Sequence, residues 1–213
     1  MNWVGQNVEL ILRALSWHLA LSLPAILAAL VCALPLGGLA HRLPRWSGTI
    51  ITGSGLLFAI PSLPLLIVLP VITGAGLRHG FNVVVALTLY GIALLVRSVA
   101  EGFDAVPLDT RLTATALGYT AWRRFFTVEL PLATPTILTG LRVVSASTIA
   151  LCTVGAVLGI PSLGTLFTDG FQRQIFAEIL TGVILTLGLA GALDLLLVIA
   201  GRILLPWQRK RGA

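Results

Sequence analysis

The alternation of apolar and polar stretches divides this chain into five long apolar runs, at roughly 18–40, 49–73, 81–100, 135–160 and 179–205. Each run approaches the ~20 residues that a helix needs to cross a bilayer. The pattern predicts an all-α, polytopic membrane protein in which 1–213 form one transmembrane domain. Ahead of the first run, Val4, Val8, Ile11 and Leu15 fall on one helical stripe, so residues 3–16 read as an interfacial amphipathic helix.

The runs are not uniform. Pro61, Pro64 and Pro70 interrupt the second. Proline at this density means broken backbone, tolerated at membrane depth only against protein or along a cavity. Pro61 and Ser62 are therefore candidates for a pathway wall. Pro35-Leu36-Gly37-Gly38 predicts a kink or a close helix approach, and Gly155 with Gly159 a small-xxx-small contact.

Between the third and fourth runs lies the longest polar interval, Asp104 to Pro135. Asp109 reads as the N-cap of a short helix through Leu117, with Gly118 ending it in a left-handed conformation. Thr120 reads as the cap of a second helix, with Trp122, Phe125, Phe126 and Glu129 on one face and Arg123 and Arg124 directed elsewhere. Pro131 is expected to stop that helix, and Thr134-Pro135 to start the next. Two short helices between spans make a knob on one membrane face, the shape a membrane subunit offers to a soluble partner.

Composition sharpens the class. At 57% hydrophobic and 10% charged, with mean hydropathy +0.99, the 213 residues read as an integral membrane protein without a separate soluble domain. The net charge of +6 does not point to nucleic acid, because the basic residues flank apolar runs, where they orient a membrane protein. Five spans put the termini on opposite sides. Only Arg13, Arg78 and Arg173 fall on the side of the N-terminus, against eleven of the Lys and Arg toward the other face. That bias predicts an outside N-terminus, a cytoplasmic C-terminus and a cytoplasmic 104–135 loop. The start MNWVGQNVEL lacks the basic segment and cleavage site of a signal peptide. Cys32 and Cys152 read as small core residues, and no His, Cys, Asp or Glu grouping has metal-ligand spacing. The three histidines sit at predicted membrane boundaries, and no Ser/His/Asp arrangement suggests catalysis.

Chemistry inside the spans is sparse. Asp194 is the one acid deep in a run. An ion pair with Arg142 or Arg97 is its plainer role, and a pathway position attracting a cationic headgroup the alternative. Ser145, Ser147 and Thr148 either line a pathway or bond back to the preceding turn. Tyr90 and Phe58 read first as packing and second as stacking partners for a quaternary ammonium group.

The polar loop also carries a family pattern. With Leu112 first, Gly118 is seventh, and Val128, Leu130 and Pro131 close the run. This spacing resembles the EAA motif of ATP-binding-cassette importer permeases: Glu-Ala-Ala, three residues, Gly, nine residues, Ile, one residue, Leu-Pro. Ala114, Gly118, Leu130 and Pro131 match and Val128 is conservative, while Leu112 replaces Glu and Thr113 replaces Ala. The five-run layout, the Ile60-Pro61-Ser62-Leu63 segment and LTLYGIALLVRS further resemble the small permeases of glycine betaine, carnitine and choline importers, from about Leu19 to Pro206.

The resemblance implies a type I importer fold and a non-catalytic subunit that forms the solute pathway. It assigns Leu112, Thr113, Ala114, Leu117, Gly118, Trp122, Val128, Leu130 and Pro131 to a coupling surface for ABC ATPase subunits. Pro61, Ser62, Ser145, Thr148 and Asp194 remain the pathway candidates. It also implies a second permease, an extracytoplasmic solute-binding protein and a location in the bacterial plasma membrane, in contact with lipid. ATP belongs to the partner, since no GxxxxGK[ST] loop is present. If Asp109 caps the helix, position 112 is N3, where Glu would complete a capping box. Its loss predicts weaker coupling and favours a different permease as mate over a second copy. An importer of an amino acid such as methionine, and a non-transport membrane scaffold, are the rival readings.

Overall fold

In the computed structural model, which describes residues 2–206, every regular element among the described residues is helical. The order is α1 (Asn2–Gln6), α2 (Val8–Arg42), α3 (Pro44–Leu56), α4 (Ser62–Thr73), α5 (Gly80–Asp104), α6 (Leu108–Ala116), α7 (Ala121–Arg124), α8 (Leu130–Cys152), α9 (Gly164–Gln172) and α10 (Phe176–Leu204). Four helical stretches are long and apolar enough to cross a membrane: α2, α5, α7 through α8, and α10. A bent pair, α3 and α4, makes five if counted as one span. The basic residues Arg209, Lys210 and Arg211 lie outside the described residues.

Helix α5 is the axis of the molecule. It packs along α2 on one side and α8 on the other, and Leu95, Val96, Val99 and Phe103 are buried between Ala33, Ile137 and Val144. Small residues set the approach. A Cβ on Gly91 would lie 2.5 Å from Ala29 Cβ, and one on Gly37 would lie 2.5 Å from Val99 Cβ. Without a hydrophobic drive between helices in lipid, such close backbone packing holds the bundle. The predicted close approach at Gly37 is therefore present. Toward the other end, Leu21, Ala25, Val83, Leu87, Cys152 and Ile160 form a second core.

The N-terminal stripe does not make a long separate helix. Only α1, five residues, stands apart, and from Val8 the chain is one 35-residue helix. Ile11 and Ala14 are buried in the bundle, which recruits this segment into α2.

The second apolar run does not cross as one straight helix. The α3 segment, ending in a 3-10 turn at Leu57–Ala59, meets α4 at 103°. Ile60 and Pro61 are extended, as the residue before proline prefers. The carbonyl of Ile60 would find its helical donor at position 64, where proline has no N–H. Tyr90 supplies the missing bond, its hydroxyl donating to Ile60 O at 2.7 Å from a nearly buried ring. Phe58 meets that ring edge-on at 5.7 Å. The break is thus clasped by α5.

Gly155 and Gly159 do not form the expected helix–helix contact. Helix α8 ends at Cys152, a 3-10 stretch follows to Leu158, and Gly159 closes it with φ of 78°. Of the two, only Gly155 packs across helices, near Val83. Nor do all three histidines lie at boundaries. His18 is fully buried within α2, its Nδ1 accepting from the Leu163 N–H at 3.3 Å. Cys152 is buried but Cys32 lies on the exposed face of α2.

Candidate coupling surface

The knob between α5 and α8 is built by two terminations. Helix α6 ends in a Schellman motif: the Gly118 N–H bonds Thr115 O at 2.9 Å and the Tyr119 N–H bonds Ala114 O at 3.1 Å. Gly118 occupies the left-handed position with φ of 80°, where a side chain would be strained. Thr120 then caps α7 as expected, accepting from the Arg123 N–H at 3.4 Å. The start of α6 differs from expectation. Pro107 is the cap residue and Asp109 sits inside the first turn, where its charge favours the helix dipole. Position 112 is consequently past N3, so Leu112 costs no capping box.

The second helix does not stop at Pro131. Residues Phe125–Glu129 form a π-helical turn that carries α7 directly into α8. The wider turn accommodates the proline that would otherwise clash with the carbonyl four residues back. Pro135 likewise lies inside α8, and the Thr134 hydroxyl, instead of capping forward, bonds back to Leu130 O at 2.7 Å. The register shift also splits the predicted aromatic face. Phe125 turns inward, 5.3 Å from the Phe103 ring with the Arg42 guanidinium over its own face, while Trp122 and Phe126 stack outward at 5.8 Å. Glu129 is buried.

Two arginines brace the knob. Sequence reasoning did not single out Arg111. It directed Arg124 away from the face of Glu129, whereas the π-turn brings the two together. Arg111 donates to His41 Nε2 at 2.8 Å and to the carbonyl of Phe103. Since Nε2 accepts, Nδ1 of His41 carries the proton that bonds Asp104 Oδ1. Arg124 donates to Glu129 Oε1 at 2.7 Å and to Thr115 Oγ1 at 2.7 Å, and Thr115 bonds back to Arg111 O. A polar chain thereby runs from the end of α5, through α2 and α6, to the start of α8. The one sequence signal was an arginine and a glutamate standing in a loop between membrane spans.

Outside this bracing lies an exposed apolar face. Leu112, Leu117 and Trp122 are 57%, 72% and 73% exposed, whereas Ala114 is buried. Thr113, Ala114, Leu117 and Val128 come together with Asp109 and Tyr119 around a hollow of 400 Å³. Leu130 and Pro131 lie behind, in the half-buried first turn of α8.

The pathway candidates fall on three parts of the fold: the α3–α4 break, α8 and α10. Pro61 is exposed and Ser62 half-buried at the α3–α4 break. Ser145 is buried and bonds back to Leu141 O at 2.8 Å, and Thr148 is buried as well. Asp194 pairs with Arg142, Oδ1 to Nε at 2.6 Å and Oδ2 to Nη2 at 2.8 Å. Of the two pairings expected for it, Arg142 is the one formed, and Arg97 pairs with Glu101. Among the described residues no group of His, Cys, Asp and Glu could hold a metal ion.

A polytopic helical bundle with a braced knob at one face defines an integral membrane protein. The chain belongs to the family of binding-protein-dependent transport system inner membrane components, whose model matches residues 25–210. It is 32% identical to the osmoprotectant import permease protein OsmW of Salmonella typhimurium, over 84% of this chain and 85% of that protein. It is 29% identical to the glycine betaine/carnitine/choline transport system permease protein OpuCD of Bacillus subtilis, over 99% and 91%. Its fold is similar to a chain of the MetNI methionine ABC transporter in an inward-facing conformation, at a TM-score of 0.76 and 21% identity over 93% and 96%.

Proposed function

We propose that the chain, as one transmembrane domain over 1–213, is the permease subunit of an ATP-driven importer of quaternary-amine osmoprotectants. The osmoprotectant class is taken from OsmW, which matches 84% of the chain, and the glycine betaine, carnitine and choline members from OpuCD, which matches 99%. The observation that carries the coupling role is the braced knob, with its exposed apolar face of Leu112, Leu117 and Trp122. In this reading the knob is cytoplasmic, the N-terminus outside, and an ABC ATPase seats against Thr113, Leu117, Gly118 and Trp122. Ala114, Val128, Leu130 and Pro131 shape the surface from behind. ATP hydrolysis belongs to that ATPase, and solute arrives on an extracytoplasmic binding protein. A second permease completes the pathway. Leu112 offers no charge to the ATPase groove, which favours a different chain as mate. Movement of the ATPases pulls the knob, and the Arg111 and Arg124 braces pass the pull to α2, α5 and α8 as a rigid-body shift.

The test is reconstitution of the whole complex from its host, followed by ATP-dependent uptake of labelled glycine betaine, choline and carnitine. Replacing Leu117 by Asp and Trp122 by Ala is expected to cut ATPase co-purification at least tenfold. Because both side chains are exposed, the fold should change by no more than about 0.5 kcal/mol. Unchanged co-purification in that double variant would remove the coupling role from this face.

A further inference from the structure

Arg142 and Asp194 place two full charges on membrane-spanning helices. Arg142 lies 12 residues beyond the start of α8 and Asp194 lies 10 before the end of α10. At ~1.5 Å per residue the pair sits about 15–18 Å from the knob face, near the middle of a ~30 Å hydrocarbon layer. Its two hydrogen bonds are short and bidentate, yet the side chains are 40% and 38% exposed. A cavity of 420 Å³ reaches the pair on its Arg142 side, and Asp194 stands outside its lining. Arg142 forms one end of that cavity, and Thr139, Val198 and Arg202 line its length. Ionised side chains at mid-depth face the bundle interior or a watered route, because contact with lipid is costly. An exposed pair beside an open cavity is therefore one that the assembled transporter must cover with protein or water.

We propose that the Arg142–Asp194 pair is a contact site for a zwitterionic solute, and this rests on the osmoprotectant reading above. The guanidinium takes the solute's carboxylate in the planar, two-bond geometry it now gives Asp194, and the freed Asp194 takes the quaternary ammonium. The solute exchanges one ion pair for two: its carboxylate replaces Asp194 on the guanidinium with the same two hydrogen bonds, and its methylated ammonium, which has no N–H, meets Asp194 by charge alone. With no solute present the pair closes on itself, and no unpaired charge is left in the membrane. The same geometry separates solute classes. A carboxylate-bearing quaternary amine uses both partners, while a quaternary amine with an alcohol in place of the carboxylate uses Asp194 alone.

The experiment is ATP-driven uptake of glycine betaine and of choline by the complete complex in proteoliposomes. It compares wild type, R142Q, the neutral double variant R142Q/D194N, and the charge swap R142D/D194R. The double variant and the swap leave no unpaired charge, and co-elution with the ATPase by size exclusion reports that they assemble. Uptake of both solutes by the assembled double variant and swap is expected to fall at least tenfold, and R142Q is expected to lower the betaine-to-choline ratio at least tenfold. Recovery of both uptakes to within twofold of wild type in the swap or the double variant would overturn the proposal, making the pair a packing element. An unchanged ratio in R142Q would overturn it as well. Wild type that carries neither solute would overturn the osmoprotectant reading itself, and this site with it.

Discussion

Helices α5 and α10 have nearly the same apolar character and opposite surroundings. Their membrane windows have mean hydropathies of 2.1 and 2.5, yet 61% of the first is buried inside the molecule and none of the second. The difference lies in where along each helix the small residues meet a neighbour. Gly91 admits Ala29, Gly102 lies under the Ala133 carbonyl, and Tyr90 reaches across to the α3–α4 break. On α10 the close approaches, Gly182 to Phe167 and Gly201 to Leu138, lie toward its two ends, and the Asp194–Arg142 pair is its polar tie to α8. Gly188 and Gly191 meet nothing, and Leu187, Leu195 and Leu196 face outward. Hydropathy states that a helix enters the membrane. Which helix becomes the axis is decided by where backbones can touch.

The contrast can be broken most sharply at those glycines. Gly91→Leu must displace Ala29 and Val144, an overpacking of about 3 kcal/mol that should abolish monodisperse protein in detergent. Gly191→Leu meets open space and should leave the melting temperature of the isolated chain nearly unchanged. Equal losses from the two would show that α10 is as tightly held as α5.

A smaller effect is expected where α5 is tied to the knob. Arg111→Ala removes the bonds to Phe103 O and His41 Nε2 and should cost roughly 2 kcal/mol, since hydrogen bonds from charged groups exceed neutral ones. In the reconstituted complex it should also lower solute moved per ATP hydrolysed. A variant that melts earlier but keeps that ratio would reduce Arg111 to a stabilising residue.

The smallest effect tests the clasp on the α3–α4 break. Tyr90→Phe keeps the ring against Phe58 and loses only the bond to Ile60 O, for about 1 kcal/mol by thermal melting. The matching change on α10, Thr186→Val, removes a local bond to Gly182 O and should be close to neutral.

Much of the knob was legible in the chain because its signals are local. Gly118 ends α6 for a steric reason and Thr120 caps α7 through its own hydroxyl, so both follow from residue type and spacing. Pro131 misled for an equally physical reason. The proline does forbid a regular α-turn, but a π-turn over Phe125–Glu129 satisfies it and keeps the helix running. Asp109 was read as a cap because aspartate favours that position, while Pro107, with no N–H to satisfy, starts the helix two residues earlier. The pairing of Asp194 was foreseen as a choice between two arginines, and only the packing of α10 on α8 selected Arg142.

By itself the sequence determined that the chain is helical, that it spans a membrane several times, and that a structured knob interrupts the spans. Each follows from run length, composition or the stereochemistry of single Gly, Pro and Thr residues. The tertiary structure alone decided that α5 is the axis and that the proline-rich run bends by 103°. It alone linked His41 with Asp104 and Arg111 across 63 and 70 residues of chain, and Arg142 with Asp194 across 52. Such contacts depend on which helices lie side by side, and that is set by the fit of small residues between packed backbones, which hydropathy does not encode.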